Sequence, residues 1–164
     1  MEHNISAIIL KGKFNEEEAK KYDLIGIDLG QELTMFHVDL SFTAYWQIKL
    51  KTKGFLDNNC CNYRFYPAEY SISELMTRIS LTEIPVFAVI ATEFINGNGV
   101  SVGNVYKKDK IADSSVKTIN GALAFLGVVN APGQDEFETV GLLDHRSTPD
   151  YIEKYFDMIE KLGL

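Results

Sequence analysis

Apolar and polar residues alternate between Leu40 and Leu50, and this is the strongest periodic pattern in the chain. The apolar positions are Leu40, Phe42, Ala44, Trp46, Ile48 and Leu50, and the positions between them are Ser41, Thr43, Tyr45, Gln47 and Lys49. A period of two is typical of a strand with one buried face. The pattern predicts a long strand that exposes Lys49, Lys51 and Lys53. These lysines would discourage edge pairing or, alternatively, bind phosphate.

Continuous apolar segments predict the strands at the centre of a sheet. Residues 86–91 read Val-Phe-Ala-Val-Ile-Ala, which favours a strand that is covered on both faces, and residues 5–10 form a second such segment. Residues 96–99 read Asn-Gly-Asn-Gly, the composition of a hairpin turn, because Asn and Gly tolerate positive φ. We therefore expect residues 100–106 to pair back onto the strand that precedes the turn.

Two helices are predicted in the first half of the chain. Asn15 has the side chain of a helix cap and Glu18 follows three residues later, so a short helix begins there and ends near Asp23. Ser71 or Ser73 caps a second helix, whose inner positions are Leu75, Met76 and Ile79.

Two more helices are predicted in the second half. One begins at Ser114 and ends at Gly127, a residue that commonly follows the last turn of a helix. The other begins around Pro149, with an apolar stripe and two i,i+4 ion pairs. The stripe comprises Tyr151, Ile152, Tyr155, Phe156, Ile159 and Leu162, and the pairs are Asp150–Lys154 and Asp157–Lys161.

These elements predict an α+β fold in one domain that spans residues 1–164. Residues 137–143 are predicted to add a further strand, so the order of elements is neither a regular β-α-β alternation nor all-β. We expect a mixed, largely antiparallel sheet with three or four helices packed on it. The 164 residues, 46% of them hydrophobic, are sufficient for one sizeable core.

The charge of the chain is negative and uneven. The formal net charge is −7, which disfavours nucleic acids and anionic membranes as partners. Residues 130–164 hold eight acids and three bases, a net charge of −5. This acidic end, with Asp135, Glu136 and Glu138 in a predicted loop, is suited to a basic protein partner. Its alternative explanation is the charge that any soluble surface carries.

The sequence predicts a cytoplasmic protein without a metal or cofactor. Its N-terminus has no basic segment followed by a long apolar run, as a signal peptide would, and no segment is long and apolar enough to cross a bilayer. Cys60 and Cys61 are adjacent, which does not favour a disulfide or a shared metal site. The glycines at 97, 99 and 103 match neither a dinucleotide fingerprint nor a P-loop.

A few ionisable residues remain as catalytic candidates. Glu93 lies at the end of the most apolar predicted strand, where burial would raise the pKa of its carboxyl. His37 and Asp39 are two residues apart and would share one face of a strand, either as a surface pair or as a proton-transfer pair.

Asp144, His145 and Arg146 form the last candidate group, in a predicted loop between a strand and the final helix.

Two functions follow from these observations. The first, which we favour, is a non-catalytic binding protein, such as an acidic inhibitor or immunity-type partner of a basic protein. The alternative is a small-molecule-binding protein or acid–base enzyme that uses Glu93, His37 and the loop from Asp144 to Arg146, provided that these groups share a cleft.

Overall fold

A computed structural model describes residues 4–56, 66–95, 98–145 and 147–163 of the chain. Its six strands form one antiparallel sheet in the order β2-β3-β1-β4-β5-β6. The strands are β1 (Ser6–Lys11), β2 (Ile27–Gly30), β3 (Leu33–His37), β4 (Val86–Ile95), β5 (Asn98–Lys107) and β6 (Lys110–Ile111). The predicted α+β class is confirmed, with a sheet that is antiparallel throughout rather than mixed.

Six α-helices and a 3₁₀ helix cover the two faces of this sheet in the described part of the chain. They are α1 (Glu16–Lys20), α2 (Leu40–Lys49), α3 (Ser71–Ile79), α4 (Ile119–Phe125), α5 (Glu136–Thr139), the 3₁₀ helix (Leu142–His145) and α6 (Asp150–Lys161). Helices α1, α2, α3 and α6 pack on one face, and α4 and the 3₁₀ helix pack on the other with α5 beside them. None of the described helices is both long and apolar enough to cross a membrane.

The centre of the sheet is formed by β1 and β4, as their continuous apolar sequences predict. Phe87 and Val89 of β4 belong to the hydrophobic core on one face, and Ala88 and Ile90 belong to the core on the other. A strand with both faces buried has no polar face to alternate with, which explains its composition. The predicted hairpin is also confirmed, because β4 and β5 pair from Val86↔Lys107 to Ile95↔Asn98.

The predicted strand from Leu40 to Leu50 is wrong, because this segment is the helix α2. Residues two apart on a helix point in roughly opposite directions, about 200° around its axis. The alternating apolar residues therefore divide into two stripes. Phe42, Trp46 and Leu50 lie toward the core, whereas Leu40 and Ile48 on the opposite stripe are 38% and 43% exposed. A strict alternation thus contains a helical i,i+4 stripe.

The two ends of α2 explain why the segment folds as a helix. Asp39 Oδ1 accepts a hydrogen bond from the Phe42 N–H at 2.8 Å and caps the first turn. At the other end Lys51 has a φ of 57°, and the Thr52 N–H donates to the Gln47 carbonyl at 3.0 Å. Helices often end in this way, with a residue of positive φ that is usually glycine. Because Lys51 occupies that position here, the sequence does not indicate that a helix ends at this point.

The predicted strand over residues 137–143 is also wrong. Asp135 Oδ1 accepts a hydrogen bond from the Glu138 N–H at 2.8 Å and caps α5. The helix before it, α4, begins at Ile119 after a Thr118 cap rather than at Ser114. Its end is as predicted, since Gly127 has a φ of 99°. The sequence predicts three or four helices, and the described part of the chain has six α-helices because α2 and α5 replace predicted strands.

Helix α6 has the predicted inner face but not the predicted ion pairs. Ile152 and Tyr155 are buried against the core, whereas Phe156 is 61% exposed. Lys154 Nζ pairs with Asp23 Oδ2 at 2.8 Å instead of with Asp150. The same carboxylate accepts a hydrogen bond from the Tyr155 hydroxyl at 2.5 Å. Asp23 thereby fastens α6 to the turn that follows α1.

Candidate functional site

His37 is the best-defined catalytic candidate among the described residues. It is the last residue of β3, pairs with Ala7 of β1, and is only 5% exposed. Burial, with a smaller contribution from His145, lowers the pKa of His37 to about 4. The structure therefore brings His37 and His145 near each other, although they are distant in the sequence, and holds the His37 imidazole neutral at physiological pH.

Asp39 has a structural task that the sequence did not suggest. Because β3 ends at His37, Asp39 is the cap of α2 and not a member of the same strand face. Burial raises the pKa of Asp39, the Phe42 and Ser41 N–H groups oppose that rise, and Glu153 adds to it. The interpretation of His37 and Asp39 as a pair on one strand face is wrong, because the carboxylate is directed to backbone N–H groups.

The loop predicted to hold Asp144, His145 and Arg146 is in part a 3₁₀ helix. Asp144 is exposed and His145 is half-buried, and the strand predicted before them is absent because residues 137–143 fold as α5 and the start of that 3₁₀ helix. Arg146 and the side chain of Glu93 lie outside the described residues, as do Cys60 and Cys61. Among the described candidates, His145 is the one whose charge contributes to the lowered pKa of His37.

The described part of the chain contains no group of three or more His, Cys, Asp or Glu side chains arranged to hold a metal ion. His37, Asp39, Asp144 and His145 also do not line the three described cavities, which lie beside β2, beside α1, and between β4, β5 and α4.

Of the acids predicted to bind a partner, Asp135 has a structural role in the fold and Glu138 is exposed on the surface. Asp135 caps α5 and also accepts a hydrogen bond from Asn120 Nδ2 at 3.2 Å, so it joins α5 to α4. Glu136 lies in the first turn of α5 and is half-buried, and Glu138 is exposed. The sequence shows this cap as Asp-x-x-Glu, the same type of signal that identified the Asn15 cap.

A cavity of about 360 Å³ lies between β4, β5 and α4, but most of its polar side chains are already bonded within the protein. Thr118 Oγ1 accepts from the Gly121 N–H, and Asn120 Oδ1 accepts from the Phe137 N–H. Thr92 Oγ1 accepts from the Ile5 N–H. These hydrogen bonds hold the starts of α4, α5 and β1 in place. The polar groups of this cavity therefore have a structural role.

The outward face of α6 combines acids with an exposed aromatic ring. Glu153, Phe156, Asp157 and Glu160 follow i, i+3, i+4 and i+7 spacing, so they share one side of the helix, and all four are exposed. We call this set the α6 acidic face. The spacing of these four residues is visible in the sequence, but the sequence predicts Phe156 in the apolar stripe that faces the core.

α6 carries two lysines, of which Lys154 is engaged by the turn that follows α1 and Lys161 is exposed at the end of the helix. Lys154 forms its ion pair with Asp23, and its Nζ also lies 5.5 Å from the centre of the Tyr155 ring. None of the described ion pairs involves the three carboxylates around Phe156. The α6 acidic face can offer a basic partner both charge and an apolar contact.

No known protein family, curated protein sequence or solved structure matches this chain.

Proposed function

We propose that this protein is a non-catalytic, cytoplasmic binding protein for a basic protein partner, and that the α6 acidic face is its contact surface. The observation that carries the proposal is Phe156, a large apolar ring that is 61% exposed between Glu153, Asp157 and Glu160. Complementary charge steers a partner to such a surface, and burial of the central aromatic ring supplies affinity after contact.

The position of α6 favours a preformed surface. Its opposite side packs against α2, where the rings of Tyr155 and Phe42 are 4.9 Å apart. Tyr155 is also bonded to Asp23 at 2.5 Å. A helix that is held in this way loses little further conformational freedom on binding, which reduces the free-energy cost of association.

An affinity-capture experiment with cross-linking tests the proposal. The bait is the full chain, and the test variant carries Phe156→Ser with Asp157→Lys. The matched control carries Ile84→Ser with Glu83→Lys, which makes the same kinds of change at exposed positions outside α6. Ionic strength is raised in steps, because attraction between exposed charges weakens as the Debye length shortens.

We expect a protein of high isoelectric point to be retained by the wild type and by the control at low salt. The α6 variant should lose it, and cross-links should map to α6. Retention that is unchanged in the α6 variant, or that is insensitive to salt, would contradict the proposal. An acidic or neutral partner would also contradict it.

The placement of His37 near His145 favours a second candidate function, a small-molecule-binding or acid–base role. A neutral imidazole with a pKa of about 4 can accept a hydrogen bond or a proton at neutral pH. NMR resonances of the two imidazoles during a small-molecule screen test this role. Shifts confined to these rings and abolished by His37→Gln support it, and imidazole resonances unaffected by every compound would count against it.

A further inference from the structure

The largest described cavity, of about 530 Å³, lies at the edge of the sheet where β1 ends and β2 and β3 meet. Six of its ten lining residues are uncharged, and most of these are aromatic, aliphatic or glycine: Gly12, Phe14, Gly26, Leu33, Thr34 and Leu81. We call this cavity the β2 cleft. Its volume is within the range of small-molecule sites, roughly 300–1,000 Å³.

The apolar wall of the β2 cleft is held in place by core contacts. The Phe14 ring packs edge-on against Phe36, with 5.1 Å between the ring centres. A Cβ at Gly26 would lie 2.7 Å from Thr34 Cγ2 and 2.8 Å from Phe14 Cζ, so only glycine leaves both side chains where they are. Leu81 is 64% exposed at the mouth of the cleft. A ligand would therefore find a preformed and uncovered apolar surface.

The rim of the β2 cleft carries three carboxylates, Glu16, Asp28 and Glu32, and one ammonium group, Lys13. Asp28 Oδ1 accepts a hydrogen bond from the Gly30 N–H at 2.8 Å. The side chains of Lys13, Glu16 and Glu32 have no hydrogen bond or ion pair with another described residue. The rim is thus acidic, and most of its charge is available to a ligand.

These features distinguish the β2 cleft from the cavity between β4, β5 and α4, most of whose polar side chains are hydrogen-bonded within the protein. An apolar floor beneath an acidic rim is complementary to a molecule with an apolar body and a cationic end. We propose that the β2 cleft binds a small amphiphilic organic cation, such as an aryl-alkyl primary amine. This proposal goes beyond protein binding by the α6 acidic face and uses none of the residues of that face.

Amide NMR titration of the full chain with 4-phenylbutylamine tests the proposal. The matched probes are 4-phenyl-1-butanol and 4-phenylbutyrate, which keep the apolar body and replace the cation with a neutral or an anionic group. We expect saturable shifts at the amides of Gly12, Gly26 and Thr34 with the amine. Its affinity should exceed that of the butyrate by about tenfold or more, because the rim attracts one end group and repels the other.

Substitutions at the rim give effects of opposite sign. Glu32→Gln should weaken amine binding about two- to fivefold, and Lys13→Gln should strengthen it by a similar factor, as expected for exposed charges. Glu83→Gln is the matched control, because it removes an exposed carboxylate that does not line the cleft. The control should leave the affinity unchanged, and high salt should reduce the difference between the amine and the butyrate.

Gly26→Ala tests the apolar part of the cleft, because its methyl group would displace Phe14 toward the cavity. A variant that retains the wild-type circular dichroism spectrum should bind the amine at least about fivefold more weakly. Leu81→Ser supplies the same test without the steric conflict, since Leu81 is exposed. The proposal is overturned if the three probes bind equally, if no shift saturates, or if the shifted amides lie on α6. The first two outcomes do not bear on the proposed partner of the α6 acidic face.

Discussion

At the residue scale, His37 loses contact with water when the chain folds, and this makes stability depend on pH. The pKa of His37 falls from the ordinary histidine value of 6.5 in the unfolded chain to about 4 in the folded protein. Between these values the unfolded chain binds a proton that the folded chain does not bind. Stability therefore rises with pH across this window and is lost as the pH falls from 6.5 toward 4.

We predict that His37 contributes about 3 kcal/mol to this loss, which is the shift of its pKa expressed as free energy. Urea unfolding of the wild type and of His37→Gln, at several pH values between 4 and 7, measures the contribution as a difference. The difference is needed because burial raises the pKa values of Asp39 and Glu69, and those carboxyls change stability in the opposite direction.

His145→Gln is the control for this measurement. Burial is the larger cause of the His37 shift and His145 the smaller, so the control should keep most of the pH dependence. A control that removes the dependence, or a His37→Gln variant that retains it, would show that burial of His37 is not its source.

The residue scale also shows which parts of the candidate site the sequence could predict. The chain drew attention to His37 and His145 singly, but the pairing of His37 with Asp39 that their spacing predicted is wrong, because Asp39 caps α2. The nearness of His37 and His145 could not be predicted, because it depends on the packing of the 3₁₀ helix on the sheet. The exposure of Phe156 was equally unpredictable, because it depends on how α6 packs against the core.

At the element scale, α2 shows that alternation and helical periodicity can coexist in one segment. In a strand, Phe42 and Ile48 would share the buried face, whereas in α2 they lie on different stripes. We predict that Phe42→Ala destabilises the fold by about 3–5 kcal/mol, because it leaves a cavity among buried rings. Ile48→Ala should change the free energy of unfolding by less than about 0.5 kcal/mol, because Ile48 is exposed.

Chemical denaturation of these two variants separates the two structures of the segment. Comparable losses for Phe42→Ala and Ile48→Ala would indicate the strand that the alternation predicts. The residues at the two ends of α2 do not identify it as a helix in the sequence. Its cap, Asp39, resembles the partner of a histidine, and Lys51 adopts the positive φ that glycine usually provides.

The contact between α4 and the sheet depends on Gly103 of β5. A Cβ at this position would lie 2.8 Å from the Thr118 carbonyl oxygen and 3.0 Å from Ile119 Cα, both of them backbone atoms. We predict that Gly103→Ala costs about 1–3 kcal/mol, because α4 must move outward as a unit. Thermal unfolding measures the cost, with Ser101→Ala as the control at an exposed position of the same strand. Equal stability of the two variants would mean that α4 is not packed this closely.

At the scale of the whole molecule, the fold class followed from the sequence because the central strands are unambiguous. The continuous apolar segments of β1 and β4 require cover on both faces, and the helices supply it in two separate cores. The strand order could not be predicted, because contacts between segments that are distant in the sequence decide which strands become neighbours. The charge distribution was visible in the sequence, whereas the face of α6 that carries it required the packed helix.

This arrangement predicts a gradient of hydrogen-exchange protection across the sheet. β1 and β4 are central, and residues such as Ile8 and Ile90 are fully buried, so their amides should exchange only through global unfolding. β6 has only two residues and both are exposed, and the edge strand β2 has a register shift between Asp28 and Gly30. Amides of β2 and β6 should therefore exchange through local opening, at least about a hundredfold faster than those of β1.

NMR-detected hydrogen exchange at several urea concentrations tests this prediction. Only the exchange rates of the central amides should increase with urea as steeply as global unfolding does. Uniform protection would instead indicate that the edges open together with the two cores, which the short pairing of β6 with β5 does not favour.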